Sequence, residues 1–166
     1  MSGKKSKTKT SKPNLDFSIL NDDWKEVEAQ DWNWVMWNEE GETLIGWLYH
    51  MQDEEFRDKT TGEIRTNLVA YMIKVNPETN DIDFVRFIVP TDLRRKFARI
   101  DAIKRKEGLD WNDIALNIEY NGKIETTKGY KVKSFSVKWK KASRPNIEIP
   151  PLPGQEEEDE EYNFDF

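Results

Sequence analysis

Residues 114–141 read IALNIEYNGKIETTKGYKVKSFSVKWKK, two alternating runs separated by the pairs Asn121-Gly122 and Lys128-Gly129. Ile114, Leu116, Ile118 and Tyr120 share one parity and Ala115, Asn117 and Glu119 the other, which predicts a strand with one packed and one wet face. The glycine pairs tolerate positive φ, so the chain can reverse and return as a second strand from Tyr130 to Trp139. There Phe135, Val137 and Trp139 have core parity, while Ser136, Lys138 and Lys140 point the other way. Lysines set among Tyr130, Phe135 and Trp139 suit a surface that neutralises phosphates and stacks bases. The same lysines would equally suit a solvated edge strand that discourages edge-to-edge aggregation.

Composition narrows the classes. A chain of 166 residues, 36% hydrophobic, allows one domain with tails. The absence of cysteine excludes disulfides and thiolate metal sites and fits a reducing cytoplasm, and a single histidine, His50, excludes a histidine cluster. No metal or cofactor is therefore expected. No apolar run approaches a membrane span, and MSGKKSKTKTSK lacks the apolar stretch of a secretion signal, so a soluble protein with no membrane partner is expected. The net charge of −6 is segregated along the chain. Residues 1–13 carry five lysines and no acid, and residues 14–85 carry 5 basic and 17 acidic side chains. Residues 86–144 carry 16 basic and 7 acidic, and residues 145–166 carry 8 acidic and none basic. A basic half is thus followed directly by an acidic tail.

Upstream of the hairpin, Glu42 to Met51 predicts a first strand, with Leu44, Gly46 and Leu48 on one parity and Ile45, Trp47 and Tyr49 on the other. Gly46 marks a bend or a close backbone approach. Gln52 to Thr66 reads as a loop around Gly62 carrying Arg57, Lys59 and Arg65. Asn67 to Val75 reads as a second strand, partly apolar on both faces, and NPETN at 76–80 as a tight turn. Asp83 to Val89 is the third strand, with Val85, Phe87 and Val89 of core parity. Thr91 then suits a helix N-cap and Asp92 the helix dipole, with Leu93, Phe97 and Ile100 as the apolar stripe and Gly108 as the stop. The basic side chains on the rest of this helix read either as a solvated face or as a DNA-binding one.

Strand, strand, strand, helix, strand, strand is the order of the OB-fold, an all-β barrel of five strands with one helix between the third and fourth. Its binding face lies on the second and third strands and in the loops after the first and fourth, here DKTTGEIRT (58–66) and NGKIETTKG (121–129). The expected organisation is a disordered basic arm (1–13), a Trp-rich N-terminal extension (14–41), the barrel (42–141) and a proline-containing linker with an acidic tail (142–166). Trp24, Trp32, Trp34 and Trp37 sit among acids, which favours packing on the barrel or a subunit contact over base stacking. PNIEIPPLPG (145–154) reads as extended and proline-stiffened. Beyond it, Glu156, Glu157, Glu158, Asp159, Glu160 and Glu161 precede Phe164, Asp165 and Phe166, rings that look out of place on a merely solvating tail.

In GETLIGWLYHM (41–51), the hairpin ALNIEYNGKIETTKGYKVKSFSV and the ending FDF, the chain resembles the single-stranded-DNA-binding proteins of bacteria and, more closely, of bacteriophages. The resemblance implies sequence-tolerant binding of single-stranded DNA during phage replication, recombination and repair in the host cytoplasm. It also implies a tail that recruits replication or recombination proteins such as a polymerase or helicase-primase. The residues offer a matching mechanism, in which cations track the backbone and rings stack bases. The stacking candidates are Trp47, Tyr49, Tyr71, Phe84 and Tyr130. The phosphate candidates are Lys59, Arg65, Lys74, Arg86, Lys123, Lys128, Lys131, Lys133 and Lys138. Acids beside rings imitate phosphates beside bases, so the tail can compete for the groove at about millimolar effective concentration.

Other readings stay open. Asp81 and Asp83 share a parity and could hold magnesium in a nuclease-like site, although their place beside NPETN favours a turn role. There is no phosphate-cradling glycine loop with lysine and no cysteine nucleophile, so no enzyme is expected. A virion or protein-interaction module, a homodimer built through the tryptophan segment, and an OB protein that binds RNA are the remaining alternatives.

Overall fold

The computed structural model describes residues 15–24 and 31–154. The basic arm at 1–13 and the partner-binding tail proposed at 156–166 lie outside the described residues. Six strands form one mixed sheet: β1 (Asn33–Trp34), β2 (Thr43–Arg57), β3 (Ile64–Val75), β4 (Ile82–Ile88), β5 (Ile114–Glu125) and β6 (Lys131–Lys141). Their order is β1-β4-β3-β2-β5-β6, and helix α1 (Thr91–Glu107) lies between β4 and β5. Every ladder is antiparallel except that of β1, which runs parallel to β4.

The longest strand organises the rest. β2 pairs with β3 from Gly46 to Arg57 and, through Thr43–Gly46, also with β5. At Gly46 both edges are occupied, and a Cβ there would come within 1.9 Å of the Ile73 carbonyl oxygen. Only glycine fits, which is the close approach that a glycine inside a strand signals. The six residues after Met51, expected as loop because they are charged, continue the β3 ladder to Arg57 and leave Asp58 to Glu63 as the connection. A register shift between Leu48 and His50 inserts an extra residue at Tyr49. A bulge of this kind exchanges the two faces of everything beyond it. Leu44 and Leu48 face the core before it and Met51 packs on that core after it, while Phe56 joins the opposite side.

A second shift, between Tyr120 and Lys123, places Gly122 (φ 85°) at a bulge inside the hairpin, where a turn was expected. β5 therefore runs on to Glu125, and Thr126 to Tyr130 alone make the reversal. In α1 the helix begins at Thr91 with Pro90 as N-cap, one residue earlier than the expected cap, and ends at Gly108 in the left-handed region.

The expectation of a mostly β fold with one helix holds, while the five-stranded barrel is replaced by one six-stranded sheet that is not closed. No ladder among the described residues joins β6 to β4 or β1, so the sheet is open along one seam. Side chains fill it. Trp37, 2% exposed, lies edge-on to Phe87 of β4 at 5.4 Å and to Phe135 of β6 at 5.2 Å. The Val35 amide donates to the Arg86 carbonyl at 2.9 Å, and Lys133 Nζ donates to the Met36 carbonyl at 2.9 Å. On the β6 side, the Phe135 amide donates to Asp92 Oδ2 at 2.8 Å, and Lys96 Nζ donates to the Phe135 carbonyl. Two helix side chains thus satisfy the backbone groups of an edge strand that would otherwise be open to another chain.

The main core lies between the sheet and α1 and takes Leu93, Phe97 and Ile100 from the helix. A smaller layer covers the opposite side of β2–β3–β4, where Trp32, Val69, Tyr71 and Leu152 pack with Phe56, Phe84 and Ile149. Residues 69–73 of β3 are accordingly buried on both faces. The expected linker forms part of this layer. After β6 the chain bonds to Asn112 and Asp113 through Arg144 and Ala142, and then crosses the outer face as a strap without regular structure. Trp47 Nε1 donates to the Ala142 carbonyl at 2.7 Å, and Trp32 Nε1 to the Pro151 carbonyl at 3.2 Å.

Two consequences for stability can be measured. Replacing Trp37 by alanine empties the seam and should cost about 3–5 kcal/mol in chemical denaturation; a loss under about 1 kcal/mol would mean that the seam is held by something else. Burial alone would push the Asp92 carboxyl up, but the hydrogen bonds from Lys96 and the Phe135 amide, with the charges of Lys96 and Arg95, hold it below its ordinary value of 3.8. A depressed folded pKa contributes stability that is present above 3.8 and is lost as pH falls through the folded value. Asp92→Asn should therefore cost about 1–2 kcal/mol at neutral pH, and the gap to the parent protein should close in melts run below about pH 4. A gap independent of pH would remove the carboxylate from this role.

Candidate nucleic-acid interface

The strap alters the status of the five proposed stacking rings. Tyr71 is fully buried; its hydroxyl donates to Glu54, and burial, with that hydrogen bond, pushes the phenol up to about 12 although Arg86 acts against the rise. Gln52 Nε2 donates to Glu54 Oε2 at 3.0 Å, and His50 Nε2 lies 3.1 Å from Gln52 Oε1, so the lone histidine belongs to a polar chain on the strand surface. Phe84 is half-buried against Trp32 at 5.5 Å. Tyr49 is 37% exposed, yet Trp32 stacks on it at 5.9 Å and 21°, and the Arg144 guanidinium lies 5.9 Å from its centroid. Trp47 is half-buried and bonded to the strap. Tyr71 and Phe84 thus belong to a covered layer to which Trp32, Ile149 and Leu152 bring their own apolar surface, while Tyr49 carries Trp32 on its face and Trp47 is tied to the strap. Tyr130, 69% exposed beside the hairpin reversal, is the nominated ring that stands free in solvent.

The nine proposed phosphate contacts fall into separate groups. Lys59 and Arg65 stand at the β2–β3 connection, Arg65 within 3.5 Å of Glu63. Lys74 and Lys138 flank a surface around Ile45 and Pro77. Lys123, Lys128, Lys131 and Lys133 belong to the β5–β6 hairpin, and Arg86 lies under Trp34. One common trough through all nine is not formed.

The hairpin group has neighbours that the sequence reading did not include. A groove of about 470 Å³ separates the start of α1 from the hairpin, with Arg95 on one wall and Ile124, Thr126, Val132 and Lys133 on the other. Arg95, Lys96 and Arg99 continue along the helix beyond Asp92. Ile124 is 53% exposed and Met36 60%, with Val132 and Tyr130 also exposed. Met36 adjoins the same region through the bond from Lys133 to its carbonyl. Exposed apolar side chains and cations therefore alternate along the open seam. In the sequence Arg95 belongs to the basic helix surface, Ile124 to the hairpin loop, and Val132 to the parity opposite Phe135, Val137 and Trp139. The bulge at Asn121-Gly122 is what turns Ile124 outward, opposite Val132, and a dipeptide ordinarily read as a turn was the one available signal.

The alternative carboxylate site is not assembled. Asp81 Oδ2 accepts from Thr79 Oγ1 at 2.8 Å within the turn, and Asp83 Oδ1 accepts from Asn33 Nδ2 at 2.9 Å. Among the described residues no group of three or more His, Cys, Asp or Glu side chains converges, and no helix is long and apolar enough to cross a membrane. Comparison of the chain with protein-family models, with curated proteins and with solved structures yields no match.

Proposed function

We propose that this protein binds single-stranded DNA without strong sequence preference, through the open seam and the β5–β6 hairpin, and so protects and organises it during phage replication, recombination and repair. The observation that carries the proposal is the interleaving at that seam of exposed Met36, Ile124, Tyr130 and Val132 with Arg95, Lys131 and Lys133. Cations along a groove attract a phosphate backbone regardless of sequence, and apolar faces beside them receive unstacked bases. Double-stranded DNA hides its base faces, so the same surface would have less to offer it. The fold reading that goes with this is an OB-type barrel in variant form. In its favour are the long bent β2 shared by β3 and β5, and the helix placed after the third strand of that set. Partner recruitment and regulation by the acidic tail belong to the same proposal.

A protein-docking role has its own observation. Leu15, Phe17, Ile19, Leu20 and Trp24 are all exposed, a density of apolar side chains that a monomer rarely leaves in water. That reading predicts a partner for residues 15–24 and no affinity of the seam for oligonucleotides.

A salt series on labelled oligo-dT separates the two. The triple variant Arg95→Ala, Lys131→Ala, Lys133→Ala should bind weakly, and its plot of log affinity against log salt should be shallower by about 2, since each lost phosphate contact removes about 0.7. Absence of parent binding at low salt, or an unchanged slope in the variant, would overturn the proposal.

A further inference from the structure

We propose that Trp34, backed by Arg86, is a base-stacking subsite for the single strand, an inference that rests on the function proposed above. With Trp32 packed on Tyr49, Tyr71 and Phe84, Trp34 at the border of that layer keeps access to solvent, at 41% against 37% for Tyr49, and among the described residues no other indole is stacked on it. It is also held in place. The Arg86 guanidinium carbon lies 4.4 Å from the ring centroid, and Phe56 meets the ring at 6.0 Å and 63°. Its chain neighbours are both tied to β4, the Asn33 side chain donating from Nδ2 to Asp83 Oδ1 at 2.9 Å and the Val35 amide to the Arg86 carbonyl at 2.9 Å. An indole fixed in this way loses little freedom when a base stacks on it.

The cation beneath it adds to this. Among the described residues Arg86 Nε is buried without a hydrogen-bond partner, and the guanidinium lies over the ring. A cation beside a stacked base also stands within reach of the phosphate that the base brings. Met36 follows Trp34 by two residues in the chain, and the Met36 carbonyl accepts from Lys133. The subsite is thereby continuous with the seam surface and lengthens it toward the β2–β3 connection, where Arg65 pairs across from Phe56. The ligand class is an unpaired nucleobase, taken without regard to its identity because the contact is with its face.

The test uses the full chain and labelled oligo-dT. Trp34→Ala should weaken binding by about 5- to 100-fold with the salt slope unchanged, Trp34→Phe should recover most of the loss, and Trp24→Ala, at an exposed tryptophan elsewhere, should have no effect. Photo-crosslinking of the parent protein to a bromodeoxyuridine-substituted oligo-dT, followed by peptide mapping, should label residue 34 and does not depend on the variants folding. Equal affinity of Trp34→Ala and parent, or crosslinks that omit residue 34, would overturn the subsite while leaving the seam proposal standing. Failure of the parent protein to bind oligo-dT at low salt would overturn the seam proposal, and the subsite with it.

Discussion

The indole of Trp37 between Phe87 and Phe135 is the contact on which this architecture depends. A curled sheet ordinarily removes its edges by closing on itself through backbone bonds. Here β4 and β6 do not meet, and each edge finds a different partner: β4 receives the short β1 and β6 receives Asp92 and Lys96 of the helix. The wedge is apolar and the rim is polar, so water is kept from the core without a ladder. Trp37 itself takes a positive φ of 54°, a conformation uncommon for a bulky side chain, which the surrounding packing holds. The same arrangement leaves the hairpin projecting beyond the core, with cations and apolar side chains on a surface that a closed ladder would have occupied.

The layer on the other side of the sheet has the opposite effect. β3 is covered on both faces, as the central strand of a sandwich would be, although the covering piece is one tryptophan and a proline-rich strap. Prolines lack an amide donor, so the strap can lie on apolar side chains without seeking ladder partners. Two indole nitrogens answer two of its carbonyls and fix its path. The middle strands are thus covered, and exposed apolar side chains are left at the seam and at Trp34.

Much of this was legible in the residues, and the parts that were not have identifiable causes. Alternation at Ile114, Leu116, Ile118 and Tyr120 found the buried side of β5, and the stripe Leu93, Phe97, Ile100 with Gly108 found the helix. Gly46 announced a close approach, and the structure supplies the Ile73 carbonyl. The two bulges have no compositional signature: one extra residue at Tyr49, or near Gly122, reverses every parity after it. Acids near Trp32, Trp34 and Trp37 favoured packing on the barrel or a subunit contact but could not say that the segment would serve both sides of the sheet, with Trp37 in the main core and Trp32 in the outer layer. Aromatic residues on strands carry the same ambiguity: Tyr71 and Tyr130 are both tyrosines beside basic side chains, and only tertiary packing separates a sealed ring from a free one.

The docking of Leu152 against Trp32, Val69 and Tyr71 also relocates the point from which the chain continues. By contour the carboxyl-terminal segment departs from the end of β6. Mechanically it departs from the far side of the sheet, since Leu152 is clamped there two residues before Gly154. A fluorophore introduced at position 154 would therefore stand beside the tryptophan layer, and its distance from Trp34 or Tyr130 would serve as a ruler for whether that clamp is shut.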